Sequence, residues 1–202
     1  MKKKEWIYRE LACNALKERG ARFTQLGLSR KFGISLSTVH NAIFPLVQNG
    51  IVSPLSRGCR LSDLGKLLAF WGTQRKLAKD VVWSGWAASV SEAEKAMPSG
   101  IVWGGCTAYR LRHNEAVADY STVIVYADQK EAAEAGGRFR NEKGNARVLV
   151  LGKDPFLAGY ADKGICPDPQ VYVDLWNLND WQSARYKDAL GKRMGLYETV
   201  LE

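Results

Sequence analysis

The sequence is poor in the residues that build metal centres and disulfide-stabilised folds. It contains four cysteines and two histidines, and the cysteines lie far apart, with no Cys-x-x-Cys motif. This pattern argues against a zinc cluster and against a fold held together by disulfides. We therefore expect buried, reduced thiols, which are typical of cytoplasmic proteins.

Long apolar runs are also missing. Glu5, Arg9 and Glu10 interrupt the segment that follows the lysines at positions 2–4, so no secretion signal is expected. The longest stretch without a charge, residues 32–56, is rich in Ser, Asn, Pro and Gly. Such a segment is too polar to span a bilayer. The sequence therefore predicts a cytoplasmic protein with no membrane partner.

Acidic residues are scarce in the N-terminal part. Residues 1–80 contain 15 Lys and Arg against 5 Asp and Glu, whereas residues 81–202 contain 14 against 16. The net charge of +8 therefore comes entirely from the first part. A basic domain attracts the phosphates of nucleic acids and gains affinity from counterion release.

Residues 24–50 have the pattern of two short helices joined by a glycine turn. Thr24 is a good N-cap for the first helix, and Gly33 suits the left-handed position that follows it. Ser35 or Ser37 can cap the second helix. Its apolar residues recur at steps of three and four up to Gly50. This pattern predicts a helix-turn-helix.

The chain after Gly50 changes to β-prone segments. Residues 51–55 and 59–61 flank the turn-forming residues 56–58, which predicts a hairpin. Ser62 is expected to cap the next helix. A helix-turn-helix followed by a hairpin resembles the winged-helix DNA-binding domains of prokaryotic transcription regulators, over roughly residues 4–78.

The candidate DNA contacts lie on the second helix and on the basic residues around it. We expect Leu36, Val39 and Ile43 to face the core, and Pro45 to kink or end the helix near Phe44. The helix carries no charge, so polar side chains would read bases and basic ones would bind phosphates. The predicted base-facing residues are Ser35, Ser37, Thr38, His40 and Asn41, and the predicted phosphate-binding residues are Arg30, Lys31, Arg57 and Arg60.

Strand and helix patterns alternate after residue 78, which predicts a mixed α/β fold for a second domain, residues 79–202. A strand is expected before the glycine pair 104–105, and Ser91 and Asp180 are expected to cap helices. A helix is expected from residue 129 to the glycines at 136–137. The other predicted strands cover residues 81–86, 121–127, 147–151 and 171–175.

The glycine pair and Asp174, placed on a late strand, occur in an order that resembles the nucleotidyltransferase fold. That fold needs two carboxylates on one strand to hold its metal ions. Asp119 has no acidic partner at the alternating position, and Asp128 stands alone. We therefore expect no catalytic residue, metal site or cofactor, and interpret Asp174 as a buried acid that pairs with Arg185 or a backbone amide.

The second domain is also similar to the C-terminal region of the AbiEi family, the antitoxins of type IV toxin–antitoxin pairs. The similarity rests on residues 104–108, Gly-Gly-Cys-Thr-Ala, and on the Tyr-Val-Asp-Leu segment 172–175 before a helix with Arg185. Members of that family join a winged helix to this domain. The resemblance implies a DNA-binding antitoxin that represses its own operon and opposes a nucleotidyltransferase-like toxin.

The sequence thus predicts a two-domain transcription regulator. Residues 1–78 would bind double-stranded DNA, and residues 79–202 would contact a partner or effector, including a cognate toxin. A homodimer would suit the paired half-sites that many helix-turn-helix proteins read. Two alternatives stay open: a nucleotidyltransferase with an accessory winged helix, and a winged helix that binds other proteins.

Overall fold

The chain divides into two compact units, residues 1–75 and 76–202. The computed structural model describes residues 1–139 and 143–197. The division falls three residues before the predicted domain boundary. Helices accompany a three-stranded sheet in the first unit and a four-stranded sheet in the second, so the predicted mixed α/β class is confirmed.

The first unit surrounds a small antiparallel sheet with helices. Strand β3 is central and pairs with β1 on one side and β2 on the other. The two-residue strand β1 was not predicted, because so short a segment has no recognisable period. The elements are α1 (Lys3–Lys17), β1 (Arg22–Phe23), α2 (Gln25–Phe32), α3 (Leu36–Gln48), β2 (Val52–Pro54), β3 (Cys59–Leu61) and α4 (Leu64–Gln74).

The turn between α2 and α3 follows local chemistry. The Thr24 hydroxyl accepts a hydrogen bond from the Gly27 amide at 2.9 Å and begins α2. Gly33 ends that helix in the left-handed conformation, with φ of 59°. The Ser35 hydroxyl then accepts from the Thr38 amide at 3.2 Å and begins α3. These predicted end signals are confirmed, with Ser35 rather than Ser37 as the cap.

Helix α3 continues through Pro45 to Gln48, so it does not end near residue 44, the second of the two outcomes predicted there. A proline inside a helix costs about 3 kcal/mol or more. Ile43 and Leu46 lie on either side of it and are almost completely buried. Full burial of two such side chains contributes about 1.5–3 kcal/mol each. The packing of this turn therefore offsets the missing hydrogen bond.

The second unit carries a mixed sheet with strand order β4-β7-β6-β5. Strands β6 and β7 are parallel and connected by α7, while β4 and β5 run antiparallel to their neighbours. The elements are β4 (Val81–Ala87), α5 (Val90–Lys95), β5 (Val102–Gly104), α6 (Gly105–His113), β6 (Thr122–Ala127), α7 (Gln129–Phe139), β7 (Ala146–Gly152), α8 (Asp168–Trp176) and α9 (Trp181–Arg193), with short 3-10 turns at Leu77–Asp80 and Leu157–Gly159.

Helices cover both faces of the central strands. Val123 and Val125 of β6 lie in a hydrophobic cluster with α5 and α7, whereas Ile124 and Tyr126 point to the opposite face. All four side chains are buried. A strand buried on both faces has a continuous apolar sequence, which made β6 predictable. The strands predicted at 81–86, 121–127 and 147–151 are confirmed within one residue at each end.

The strand predicted at 171–175 is wrong, because these residues lie within α8. The segment is rich in β-branched and aromatic residues, and that composition favoured a strand. Helix α8 packs between β5, α6 and α9, so residues 171–175 are all buried. A helix buried all round lacks the polar side that reveals a helical period. Tertiary packing therefore overrode the local preference.

Other local predictions need small corrections. Asp63, rather than Ser62, caps α4 by accepting from the Lys66 amide at 2.8 Å. Ser89, rather than Ser91, caps α5 by accepting from the Glu92 amide at 3.2 Å. Helix α7 continues past its glycine pair to Phe139. In residues 1–139 and 143–197, no helix combines the length and apolar character that a bilayer crossing requires.

Candidate nucleic-acid interface

Helix α3 has a buried side and an uncharged exposed side. Val39, Ala42, Ile43 and Leu46 are buried in the core of the first unit. Leu36 was expected with them but is 49% exposed. It stands four residues before His40, and residues at this spacing share one helix face. The exposed side is formed by Leu36, Ser37, His40, Asn41, Phe44 and Gln48.

An exposed aromatic pair lies in the middle of this face. Phe44 is 49% exposed, and its ring centroid is 5.6 Å from that of His40. The prediction included His40 but missed Phe44. A phenylalanine exposed among polar residues offers an apolar contact of the kind that reads the thymine methyl group. Its place four residues after His40 is the signal that could have identified it.

Ser35 and Thr38 have a structural task at the start of α3. Their hydroxyl groups lie 2.9 Å apart, and Ser35 also accepts from the Thr38 amide. Ser37, His40 and Asn41 are exposed and form no side-chain hydrogen bond with the described residues. Of the five predicted base-facing residues, these three are therefore best placed to reach a ligand.

The four predicted phosphate-binding residues are all exposed. Arg30 and Lys31 lie at the end of α2, Arg57 lies in the β2–β3 loop, and Arg60 lies on β3. The Lys31 ammonium is 2.6 Å from a Glu10 carboxylate oxygen. That ion pair weakens Lys31 as a phosphate ligand, whereas the three arginines have no ion-pair partner in the part of the chain that the structure describes.

Arg22 joins this set through the unpredicted strand β1. The register of β1 and β3 places Arg22 directly opposite Arg60, and both side chains are exposed. Like charges at opposed positions of an antiparallel pair repel each other. Arg22 also lacks a carboxylate partner among the described residues. An anion that binds both guanidinium groups would relieve this repulsion. We use the term arginine patch for Arg22, Arg60 and Arg57, which lies in the loop before β3.

Gly58 determines how the loop that carries Arg57 meets β1. Its φ is +94°, and a Cβ atom there would stand 2.5 Å from the Phe23 carbonyl oxygen. The Leu55 amide also donates to the Gly58 carbonyl at 2.9 Å and closes the loop. The loop can therefore approach β1 only with glycine at this position.

Replacing Gly58 by alanine is expected to destabilise the first unit by about 1–3 kcal/mol, because a non-glycine residue is strained at this φ and clashes with β1. Hydrogen exchange of the α1 and α4 amides measures the change. Gly65→Ala is the matched control, because Gly65 lies in helix α4 and its Cβ would meet only Asp63 at 3.4 Å. Equal protection in both variants would contradict the role of Gly58.

Asp174, the candidate acid of the second unit, is completely buried. It accepts hydrogen bonds from the Tyr126 hydroxyl at 2.5 Å and from the Gln170 amide at 3.1 Å. The interpretation as a buried acid is confirmed. Of the two partners predicted for it, Arg185 is wrong, because Arg185 is exposed and forms no ion pair with it. Asp174 joins α8 to the sheet, and it does not face solvent.

The glycine pair at residues 104–105 is explained by close packing. A Cβ atom at either Gly104 or Gly105 would stand 3.1 Å from the Ile124 side chain. These glycines therefore let the start of α6 approach β6. Among the described residues, no three His, Cys, Asp or Glu side chains converge as metal ligands.

A polar cluster connects α5 and α6. Glu94 accepts hydrogen bonds from Thr107 at 2.9 Å, Tyr120 at 2.8 Å and Arg110 at 2.6 Å. Burial, as the largest cause, raises the pKa of Tyr120 to about 12, so its hydroxyl remains a proton donor at neutral pH. The groups satisfy one another, which identifies a structural network.

Comparisons with protein-family models, with curated proteins and with solved structures found no match. The resemblance to the AbiEi antitoxins therefore stays a prediction. One of its two segments, residues 104–108, lies at a strand end followed by a helix, as expected. The other, residues 172–175, belongs to a helix instead of a strand. The geometry of the first unit is the stronger guide to function.

Proposed function

We propose that residues 1–75 form a winged helix that binds double-stranded DNA, and that the chain is a transcription regulator. The observation that carries this proposal is the uncharged, exposed face of α3. The same unit also exposes arginines that have no ion-pair partner among the described residues. A B-DNA major groove is about 12 Å wide and admits one α-helix. Polar side chains on such a helix can read base edges, while arginines bind the backbone.

The charge of the first unit supports a polyanionic partner. Residues 1–75 contain 13 Lys and Arg against 4 Asp and Glu. Two of those four acids, Glu5 and Glu10, already pair inside the unit with Arg75 and Lys31. The unit therefore presents a large excess of positive charge, which favours association with DNA at low salt.

The roles of individual residues follow from their position. Asn41 is the candidate for a bidentate contact with adenine, and Ser37 and His40 can donate to or accept from neighbouring bases. Phe44 adds an apolar contact. Arg30 and the arginine patch are proposed to bind phosphates on either side of α3. This division makes sequence readout depend on the helix and salt-dependent affinity depend on the arginines.

The proposal is tested by fluorescence-anisotropy binding of the full-length protein to its own upstream DNA and to a scrambled duplex, over a salt series. A preference for the upstream DNA that persists at physiological salt would establish a specific regulator. Equal, steeply salt-dependent binding would limit the unit to phosphate contacts. Absence of binding to both duplexes at low salt would overturn the proposal and favour a protein-binding module.

Asn41→Ala is expected to weaken binding to the preferred duplex by about 1–3 kcal/mol, because it removes a base contact. Binding to the scrambled duplex should not change. The same anisotropy titration measures both. Asn14→Ala is the matched control, because Asn14 lies on α1 and bonds Glu10. If Asn41→Ala lowers affinity for both duplexes equally, Asn41 does not read sequence.

The remaining parts of the regulator hypothesis concern partners. Repression of its own operon, a cognate toxin and a homodimer stay predictions, and co-purification with the neighbouring gene product would test the toxin. The alternative of a nucleotidyltransferase has its own test, magnesium-dependent labelling with radioactive nucleotides. Labelling that survives in Asp174→Asn would show that this buried residue is not part of such a site.

A further inference from the structure

The second unit has a surface hollow of about 950 Å³ that belongs to neither the sheet core nor the proposed DNA interface. Its walls come from α6 and the loop after it, from α8 and α9, and from Tyr197. Small-molecule sites usually have volumes of about 300–1,000 Å³ and aromatic walls with a few polar groups. The hollow has this size, and of its twelve lining residues four are aromatic and six are charged.

One wall is aromatic. Trp176 is 38% exposed, and its ring centroid lies 6.1 Å from that of the buried Tyr172. Tyr197 is 48% exposed, and its hydroxyl lies 3.4 Å from that of Tyr172. The wall therefore offers partly exposed rings on a buried support, as sites for flat aromatic ligands do.

The turn after α9 places Tyr197 in this wall. Gly195 has φ of 69°, and the Leu196 amide donates to the Gly191 carbonyl at 2.9 Å, so the chain reverses there. A Cβ atom at Gly191 would stand 2.5 Å from the Tyr197 ring. The ring therefore packs directly on the α9 backbone, which glycine alone permits.

Another part of the lining is basic. Arg185, Ala189 and Lys192 stand at steps of four and three on α9, so they share one face with a small residue between the two cations. Neither cation has an ion-pair partner among the described residues. Two unpaired cations thus stand about 10 Å apart along the helix axis, at 1.5 Å per residue.

The carboxylates of the hollow are already neutralised. Glu115 lies 2.6 Å from Arg193, which also donates to the Tyr109 hydroxyl at 3.1 Å. Asp188 lies 3.2 Å from Lys187, whose ammonium is 5.2 Å from the centroid of the Trp176 ring. The lining therefore carries four cations and two carboxylates, and the positive excess corresponds to the two unpaired cations.

We propose that this hollow binds a small molecule in which a flat aromatic ring carries an anionic group, as nucleotides and aromatic carboxylates do. The ring would stack on Tyr197 and contact the exposed part of Trp176, and the anionic group would bind Arg185 or Lys192. Aromatic faces without a charge would favour a neutral ring, and a basic surface without rings would favour a simple anion. The combination selects a ligand with both features.

Calorimetric titration of the full-length protein without DNA tests the proposal independently of DNA binding. One arm uses AMP, GMP and UMP, and the other uses 4-hydroxybenzoate and indole-3-acetate. Adenosine and benzamide supply a ring without charge, and inorganic phosphate supplies charge without a ring. At least one complete probe is expected to bind with Kd below about 1 mM, and its separate halves at least about tenfold more weakly. The arm that binds identifies the ligand source.

Matched variants locate the binding. Arg185→Gln with Lys192→Gln, and separately Trp176→Leu, should each weaken the best probe at least about tenfold. The controls remove equivalent groups outside the hollow. Lys130→Gln with Arg147→Gln matches the loss of two cations, and Trp181→Leu matches the loss of one indole, since Trp181 is 63% exposed. The controls should bind like the original protein. Absence of saturation by every probe up to about 10 mM, or equal losses in variants and controls, would overturn the proposal.

Discussion

Replacing Arg22, Arg57 and Arg60 together by glutamine is expected to lower the affinity for DNA about 500-fold at 0.1 M salt. Each phosphate contact contributes about 0.9 to the slope of log affinity against log salt concentration. Loss of three contacts therefore reduces the magnitude of this slope by about 2.7. For equal affinities at 1 M salt, that difference in slope corresponds to about 500-fold in affinity at 0.1 M. All three side chains are exposed, so the variant should fold normally.

Anisotropy titrations between 0.05 M and 0.3 M salt measure both the affinity and the slope of this variant. The control must remove the same charge elsewhere, and Lys130→Gln, Arg147→Gln and Lys163→Gln do so on exposed positions of the second unit. We expect the control to keep the original slope. If both variants lose affinity equally, net charge and not the arginine patch controls binding.

Glu5→Ala is expected to destabilise the first unit by about 3–5 kcal/mol, because it breaks a buried ion pair from one side. The Glu5 carboxylate accepts from the Arg75 guanidinium at 2.8 Å and from the Trp71 indole at 3.3 Å. Both charged side chains are almost completely buried. Without the carboxylate, the buried Arg75 guanidinium loses its 2.8 Å contact with Glu5, and the Trp71 indole loses its acceptor.

Hydrogen exchange of the α1 and α4 amides measures this loss in the full chain, where two units need not unfold together. Glu18→Ala is the control, because Glu18 is exposed at the end of α1. Replacing both partners, by Glu5→Leu with Arg75→Met, should restore most of the stability, because apolar groups of similar size often replace buried ion pairs without loss. An effect of Glu5→Ala no larger than that of Glu18→Ala would contradict the argument.

The ion pair also matters for the proposed DNA interface. It joins α1 to Arg75, the residue that follows α4, and α1 in turn packs against α3. The Tyr8 hydroxyl donates to the Ala42 carbonyl of α3 at 3.4 Å. Loss of Glu5 should therefore weaken DNA binding only through unfolding. Affinity measured well below the unfolding temperature should stay close to the original value.

Several features of this protein were predictable from the sequence by itself. Thr24, Gly33 and Asp180 mark helix ends through hydrogen bonds and backbone angles that involve neighbours within three or four residues. The apolar runs of β6 and β7 predicted strands because burial on both faces requires them. The charge difference between the two parts of the chain is a property of composition, and it led directly to the nucleic-acid hypothesis.

Contacts between distant residues decided the rest. Arg22 entered the candidate site only because β1 pairs with β3, and a two-residue strand has no signal without its partner. Residues 171–175 belong to a helix that packs against β5, α6 and α9, and all five are buried, so the segment has no exposed polar stripe from which a helical period is recognised. Lys31 and Asp174 bind partners that are distant in sequence, Glu10 at 21 residues and Tyr126 at 48, which the sequence did not reveal. Local chemistry determined where elements begin and end, and tertiary packing determined which side chains are free to act.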